Sequence, residues 1–156
     1  MKRIILKFFP ILLLVALSCT KAQGPNPVPY VYVNLQFNTD EPLYTNLNTP
    51  GEPVYINNVG NKGIVVIQDY SGNFWAFDRT CPYQINSTCG KIIISNSHQN
   101  FLCGSYSGNG KNFDACCNSE WNLDGSIAAS PTTYSLKAYH ISVTPPPEPY
   151  VVTITN

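Results

Sequence analysis

Short segments in which apolar and polar residues alternate recur along this chain, and they constrain its fold more than any other feature. In residues 31–37 (VYVNLQF) every second residue is apolar, which is the period of a strand with one buried face. Residues 63–69 and 73–78 flank a short turn that contains Gly72, and this arrangement predicts a β-hairpin. Further strands are predicted at 91–95, 134–143 and 150–154, with weaker candidates at 101–103 and 112–113. Because there is no long helical period, internal repeat or second domain, the sequence predicts one all-β domain.

The first residues of the chain have the layout of a secretory signal. A basic start precedes the mostly apolar residues 4–17, which are too few for a comfortable membrane span of roughly 20 residues. The segment that ends at Cys19 resembles the lipobox of bacterial lipoproteins. The resemblance implies that residues 1–18 are removed as a signal peptide and that Cys19 carries a lipid. An ordinary signal peptide with an unmodified Cys19 is the alternative interpretation.

The same resemblance sets the expected domain organisation and location. We expect residues 19–29 to be the lipidated cysteine and a polar tether. Residues 30–156 then form the folded domain. The protein is expected to be exported and lipid-anchored in the bacterial cell envelope, at the outer membrane or the periplasmic face.

The charge of the chain argues against a nucleic-acid partner. The sequence holds 9 Lys and Arg against 9 Asp and Glu, and removal of residues 1–18 would take away Lys2, Arg3 and Lys7. The exported part is therefore mildly acidic, and it has no basic patch and no recognition motif of a nucleic-acid-binding protein. We expect the partners to be the membrane, through the lipid, and an unknown protein.

Cysteines are the residues of the domain that carry most chemical information. Besides Cys19 the chain has Cys81, Cys89, Cys103, Cys116 and Cys117. An exported chain can keep disulfides. Because these cysteines are odd in number, at least one thiol must stay unpaired, pair with another molecule or bind a ligand. Cys81 follows a predicted strand directly, and the adjacent Cys116 and Cys117 come soon after Phe113, so the pattern predicts two cysteine-bearing loops at strand ends.

Two segments that hold these cysteines resemble the Rieske [2Fe-2S] domain. The first is residues 76–83 (AFDRTCPY), and the second is residues 116–127 (CCNSEWNLDGSI), which Pro131, Leu136 and Tyr139 follow. The family pattern is Cys-x-His in one loop and Cys-x-x-His-Gly-Ser-x-Phe in the other, followed by Gly, Pro, Leu and Tyr. The likeness covers most of the exported part and is similar in particular to small bacterial Rieske-like lipoproteins. It implies an antiparallel β-sandwich with a subdomain of two cluster-binding loops.

The ligand positions depart from the family pattern. Carried over one by one, they fall on Cys81, Tyr83, Asp114 and Cys117. A Rieske cluster needs two imidazoles on one of its irons, and no histidine stands at either position. A phenol with an ordinary pKa near 10 is mostly protonated at neutral pH, and a carboxylate is a hard donor beside soft sulfide. We therefore expect no standard [2Fe-2S] centre and no cofactor.

A second way to place the second loop uses residues 103–106, where Cys103 and Tyr106 repeat the Cys-x-x-aromatic form. This placement makes the distances to Gly125 and Pro131 too long for the family pattern. We therefore interpret residues 103–111 as part of an insertion before the second loop.

The resemblance also implies a disulfide between the two loops. In respiratory-complex Rieske proteins a bridge joins the cluster loops, and the matching positions are Cys89, displaced by a few residues, and Cys116. We hypothesise that this bridge is kept and that Cys81 and Cys117 form a second one. A bridge of this kind stabilises a fold by roughly 3 to 4 kcal/mol in the chain-entropy picture. Cys103 would then be the unpaired thiol, although five thiols allow several connectivities.

A zinc site is an alternative use of the same cysteines. Four thiolates suit tetrahedral zinc, and the candidate ligands are Cys81, Cys89, Cys116 and Cys117. Adjacent ligands are sterically awkward, and the usual Cys-x-x-Cys knuckle is missing. If zinc or a cluster were bound, Cys81 and Cys117 would be among its ligands.

The remaining polar and aromatic residues give no catalytic site. A catalytic cysteine would need a base, but His98 lies in a polar turn and His140 in a predicted strand, and both are expected to be surface or half-buried residues. Residues 124–125 (Asp-Gly) are typical of a turn. The aromatic residues expected in the core are Trp75, Phe77 and Trp121. We therefore expect no enzyme.

Two functions from different classes follow from these residues. One is a non-enzymatic envelope lipoprotein in which a Rieske-like fold, held by disulfides between its two loops, acts through binding. The alternative is an electron-transfer protein with a [2Fe-2S] cluster on the atypical ligands Cys81, Asp114 and Cys117, which would act as the redox partner of an enzyme. Visible colour and bound iron distinguish the two.

Overall fold

The computed structural model describes residues 24–147 and 149–156. The predicted signal peptide and the predicted lipid site at Cys19 fall on residues outside this range. Within it the chain is almost entirely β, with three antiparallel sheets and one short 3-10 turn, so the predicted all-β fold is confirmed. None of the described helical segments has the length and apolar character needed to cross a membrane.

The strands are numbered in chain order. They are β1 (Asn34–Asn38), β2 (Pro53–Ile56), β3 (Ile64–Gln68), β4 (Phe74–Asp78), β5 (Ile92–Ile94), β6 (Asn100–Ser107), β7 (Asn112–Asn122), β8 (Ile127–Ala129), β9 (His140–Val143) and β10 (Val151–Thr155). The 3-10 turn is η1 (Thr45–Asn48). Strand β2 and strand β8 were not predicted.

The first sheet joins the beginning and the end of the described chain in the order β1-β10-β9. Phe37 of β1 lies opposite Val152 of β10, and both are buried. The strand predicted over 134–143 is shorter than expected and begins at His140. Its first part instead lies along β4, where the Asp78 N–H donates to the Lys137 carbonyl (2.9 Å), so these residues form an isolated bridge rather than a full strand.

The second sheet, in the order β2-β3-β4, lies between two apolar cores. Strand β3 is fully buried at four consecutive residues, 64–67. Successive side chains of a strand point to opposite faces. Ile64 and Val66 accordingly pack with β1 and β10, whereas Val65 and Ile67 pack with the residues around the cysteines. The continuous apolar run is therefore required, because both faces of this strand are covered.

The predicted β3–β4 hairpin is confirmed. Gly72 closes its turn with a φ of +85°, a backbone conformation that glycine adopts without strain. The Gly72 N–H donates to the Asp69 carbonyl (3.0 Å). The Asp69 carboxylate also accepts a hydrogen bond from the indole N–H of Trp75 (2.9 Å), which is only partly buried.

The third sheet, in the order β5-β6-β7-β8, corrects the sequence-based expectation. Residues 112–122 form one long strand, so Cys116 and Cys117 lie in β7 and not in a loop. Residues 103–107 belong to β6, which pairs with β7, so they are not an insertion outside the fold. Apolar and polar residues do not alternate along β7, and its buried, half-buried and exposed residues follow no period of two, so the segment lacks the pattern of a half-buried strand.

The turn between β7 and β8 fits the Asp124-Gly125 prediction. The Gly125 N–H donates to the Asn122 carbonyl (2.9 Å), and Gly125 has a φ of +79°. A Cβ on Gly125 would lie 2.5 Å from the Phe77 ring. Phe77 and Trp121 are buried, as expected, and the Trp121 indole N–H donates to the Tyr134 carbonyl (2.9 Å).

Candidate thiol and disulfide site

The loop that carries Cys81 is anchored by a buried carboxylate. Asp78, the last residue of β4, is 0 % exposed. Its oxygens accept hydrogen bonds from the backbone N–H of Asn61 (2.7 Å), the backbone N–H of Thr80 (2.8 Å) and the hydroxyl of Tyr139 (2.7 Å). Burial of a charged group is costly unless such partners are present. The carboxylate therefore fixes the start of the loop to two other parts of the chain.

The same loop closes on itself between Cys81 and Gly90. The Cys81 N–H donates to the Gly90 carbonyl (3.1 Å), and the ammonium of Lys62 contacts the carbonyls of Ser87 (2.7 Å) and Gly90 (3.1 Å). Only glycine fits at position 90, because a Cβ there would collide with the backbone oxygen of Gln84. The loop is thus held by backbone contacts at both of its ends.

A bulge in the β6–β7 hairpin brings Cys116 and Cys117 to this loop. Leu102 pairs with Glu120, but Gly104 pairs with Ala115, so residues 116–119 face the single residue Cys103. Such a bulge bends the strand that carries the extra residues. Gly104 allows the close approach, since a Cβ there would meet the backbone of β7.

The predicted disulfide between Cys89 and Cys116 is present. Their Cα atoms lie 5.4 Å apart, and the bridge joins the Cys81 loop to β7 across 27 residues of sequence. The Ser87 hydroxyl lies 2.8 Å from the Cys89 sulfur and 3.4 Å from the Cys116 sulfur. The bridge is near the surface, with Cys89 exposed and Cys116 half-buried.

The three other cysteines form a second sulfur group, which we call the thiol group: Cys81, Cys103 and Cys117. Their Sγ atoms all lie within 4.8 Å of one another. Cys81 and Cys103 are each 0 % exposed, and Cys117 is half-buried. The group draws one residue from the loop after β4, one from β6 and one from the bulge of β7.

The predicted bridge between Cys81 and Cys117 is wrong for this structure. Both are free thiols, and their Sγ atoms are 3.8 Å apart, well beyond a bonded S–S distance of about 2.05 Å. Cys103 is free as well, but it is not isolated, because it completes the same group. Three thiols share one site where the sequence predicted one pair and one lone thiol.

Hydrogen bonds within the thiol group shift the pKa values of Cys81 and Cys103 in opposite directions. The pKa of Cys81 is lowered to about 6, chiefly because the Cys103 thiol donates a hydrogen bond to its sulfur, while burial opposes the shift. The backbone N–H groups of Tyr83 and Gln84 and the thiol of Cys117 contribute in the same direction. The hydrogen bond to Cys81, together with burial, raises the pKa of Cys103. Cys81 therefore becomes a thiolate at a lower pH than Cys103.

Only two of the four family ligand positions come together. Cys81 and Cys117 are in the thiol group, but Tyr83 is 47 % exposed, and Asp114 is an exposed residue of β7 that pairs with Ser105. A histidine-ligated [2Fe-2S] cluster needs two imidazoles beside the two thiolates. Within residues 24–147 and 149–156 the thiol group contains no histidine. The donors present therefore do not fit a Rieske cluster.

Other predicted site residues also lie away from the thiol group. The four-cysteine zinc set is not available, because Cys89 and Cys116 are bonded to each other. His98 lies 3.2 Å from the Glu52 carboxylate, and His140 is exposed on β9, so neither serves a cysteine as a base. In the described part of the chain the free thiols have sulfur neighbours instead.

Cys103 is the site residue that sequence reasoning missed. Its position in the site depends on pairing between β5 and β6, where it lies opposite Ile92, and on the β7 bulge. Neither is visible as a local pattern. The available signal was the apolar pair Phe101-Leu102 directly before it, which predicted a weak strand and therefore a buried position nearby.

A cavity of about 300 Å³ lies beside the half-buried member of the thiol group. Its walls are formed by Leu102, Phe113, Ala115, Cys117, Asn118, Ser119 and Glu120. Cys117 is the member of the thiol group that lines this cavity.

Comparisons with known proteins identify no relative of this chain. The chain matches no protein-family model, no curated protein and no solved structure. The resemblance to Rieske domains therefore rests on the motif residues themselves.

Proposed function

We propose that this protein is an exported, lipid-anchored component of the bacterial cell envelope that acts through binding, without enzymatic activity. In this proposal its Rieske-like fold is a scaffold held by the Cys89–Cys116 bridge in place of a histidine-ligated cluster. The observation that carries the proposal is the composition of the site: the two cysteine segments meet through sulfur, and the residues at the imidazole positions are Tyr83 and Cys117.

Two features support export and anchoring. The basic start, the apolar residues 4–17 and Cys19 together resemble a lipoprotein signal. The Cys89–Cys116 bridge suits a compartment in which disulfides form and persist, and such bridges are rare in the cytosol. Both features favour the envelope over the cytosol.

Metal analysis tests the scaffold proposal. The full chain is expressed in an exporting bacterium at low oxygen, and the purified protein is assayed for iron and acid-labile sulfide. We expect colourless, iron-free protein in which the Cys89–Cys116 bridge is intact. Reddish-brown protein with stoichiometric iron and sulfide would instead support the electron-transfer alternative with atypical ligands.

Lipidation is tested separately at Cys19. We expect the mature protein to begin at Cys19, to carry the mass of a lipid modification and to fractionate with membranes. A Cys19→Ala variant should lose the modification and the membrane association while keeping the Cys89–Cys116 bridge. If wild-type protein is released in soluble form without added mass, the anchoring part of the proposal is wrong.

A further inference from the structure

We propose that Cys81, Cys103 and Cys117 form a three-thiolate site for one soft monovalent cation, Cu(I). This inference goes beyond the binding function proposed above and uses a residue, Cys103, that the family pattern leaves out. Its basis is the convergence of three sulfurs from three separate elements at one buried point.

The spacing of the sulfurs suits a single metal ion. A metal–thiolate bond of about 2.3 Å places two sulfurs on one ion at a separation of roughly 3.8 to 4.0 Å. Cys81 and Cys117 are 3.8 Å apart, and no pair in the group exceeds 4.8 Å. Shifts of less than about an ångström would therefore bring all three sulfurs to bonding distance.

The number and type of donors favour Cu(I) over zinc. Structural zinc is almost always held by four ligands, and no fourth His, Cys, Asp or Glu joins the group within the described ranges. Thiolates are soft donors that suit Cu(I), zinc and iron–sulfur clusters, so the number of donors distinguishes these ions. Cu(I) accepts three-coordinate sites, so the three sulfurs suffice for it.

The surroundings of the group allow the ion to enter and then shield it. The cavity at Cys117 is an entry path from solvent, whereas Cys81 and Cys103 are fully buried. The Gln84 N–H donates to the Cys81 carbonyl (3.1 Å), which fixes the turn that carries this ligand. On binding, the thiol protons leave to solvent and copper stays in its +1 state, so no oxidant or reductant is required.

Copper titration of the full-length protein tests the site. Protein purified anaerobically without reductant, with the Cys89–Cys116 bridge and the three free thiols verified by mass spectrometry, is titrated with Cu(I) acetonitrile complex against a chromophoric Cu(I) chelator. We expect one tightly held Cu(I) per chain, an ultraviolet thiolate-to-copper band, and X-ray absorption that shows three sulfur neighbours. Nitrogen or oxygen neighbours in place of sulfur, or no copper retained against the chelator, would overturn the proposal.

Two variants separate this site from adventitious copper. Cys103→Ala should lose the stoichiometric copper, while His98→Ala, which removes a described imidazole that lies away from the thiol group, should keep it. Equal copper in both variants would contradict the assignment. Because Cys103 is buried and its variant could misfold, the X-ray absorption of wild-type protein gives an independent answer.

Two further outcomes have defined meanings. If Zn(II) displaces Cu(I) from the wild-type protein, the proposed ion is wrong. If protein purified anaerobically contains a Cys81–Cys117 disulfide, two of the three thiols are no longer available as ligands. The site then cannot form, and the proposal fails. Neither result bears on lipidation or on iron content, so the binding function proposed above is judged separately.

Discussion

Cys116 and Cys117 are neighbours in the sequence, yet their sulfurs belong to groups that are built in different ways. The bridge of Cys116 lies near the surface and connects two segments covalently across 27 residues. The thiol of Cys117 meets Cys81 and Cys103 inside an apolar core, where only packing and hydrogen bonds set the sulfur positions. One group therefore stabilises the fold, and the other depends on the fold for its geometry.

This difference explains the pair of adjacent cysteines. Consecutive side chains of extended backbone diverge, and the β7 bulge places both residues against the Cys81 loop. One residue can then cross-link the loop while its neighbour completes a buried site. The comparison predicts that removal of the bridge costs stability, whereas changes to the supporting residues disturb the thiol group.

Removal of the bridge should have the largest effect on stability. The double variant Cys89→Ser, Cys116→Ser should lose roughly 3 to 4 kcal/mol of unfolding free energy, because a 27-residue loop is released in the unfolded chain. The neighbouring change Cys117→Ser removes a half-buried free thiol and should cost less than about 1 kcal/mol. Urea unfolding measures both, and equal losses would contradict the division between the two groups.

A smaller loss is expected at Gly125, which supports the core around the thiol group. In Gly125→Ala the φ of +79° and the contact of the new Cβ with Phe77 should together cost roughly 2 to 3 kcal/mol. Gly72→Ala is the matched control, since Gly72 has a similar φ of +85° but no atom within 4 Å of the new Cβ. Its cost should be about 1 kcal/mol from backbone strain alone. Equal values from urea unfolding would show that the Phe77 contact does not matter.

The hydrogen bond between Tyr139 and Asp78 should contribute less again. Tyr139→Phe removes a donor to a buried carboxylate and should cost about 1.5 to 3 kcal/mol. The exposed Tyr32 serves as the control, and Tyr32→Phe should change stability by no more than about 0.5 kcal/mol. Because Asp78 anchors the loop that carries Cys81, Tyr139→Phe should also loosen this loop. We expect faster alkylation of the thiol group in this variant and no change in the Cys89–Cys116 bridge.

The same tyrosine predicts a dependence on alkaline pH. Burial, followed by the hydrogen bond to Asp78, raises the pKa of Tyr139. A group whose pKa is higher in the folded state stabilises the fold fully below its unfolded pKa, here about 10, and this contribution is lost as pH rises above that value. The free energy of unfolding should therefore fall more steeply above about pH 10 in wild type than in Tyr139→Phe. Parallel curves would contradict the buried role of this phenol.

The sequence predicted the parts of the fold that depend on local pattern. The β3–β4 hairpin follows from two apolar runs around Gly72, and the all-β class follows from period-two alternation. The long strand β7 could not be predicted in this way, because its partner β6 and its bulge, rather than its own polar residues, make it a strand.

The candidate site was only partly predictable for the same reason. The Cys89–Cys116 bridge follows from the resemblance between the two cysteine segments and a known pattern. The place of Cys103 depends on the register of β5, β6 and β7, which is a long-range property. A motif alignment that treats residues 103–111 as an insertion removes Cys103 from the site that the fold builds around it.

The most direct test of a sulfur-only site with one bridge is anaerobic cysteine mapping. Protein purified without reductant is denatured, alkylated, digested and examined by mass spectrometry. In parallel, a native sample is reduced with dithionite and examined by electron paramagnetic resonance. We predict a single disulfide, Cys89–Cys116, alkylation of Cys81, Cys103 and Cys117, and no signal from a diiron centre. A Cys81–Cys117 bridge, or the resonance of a histidine-ligated iron pair, would contradict the account.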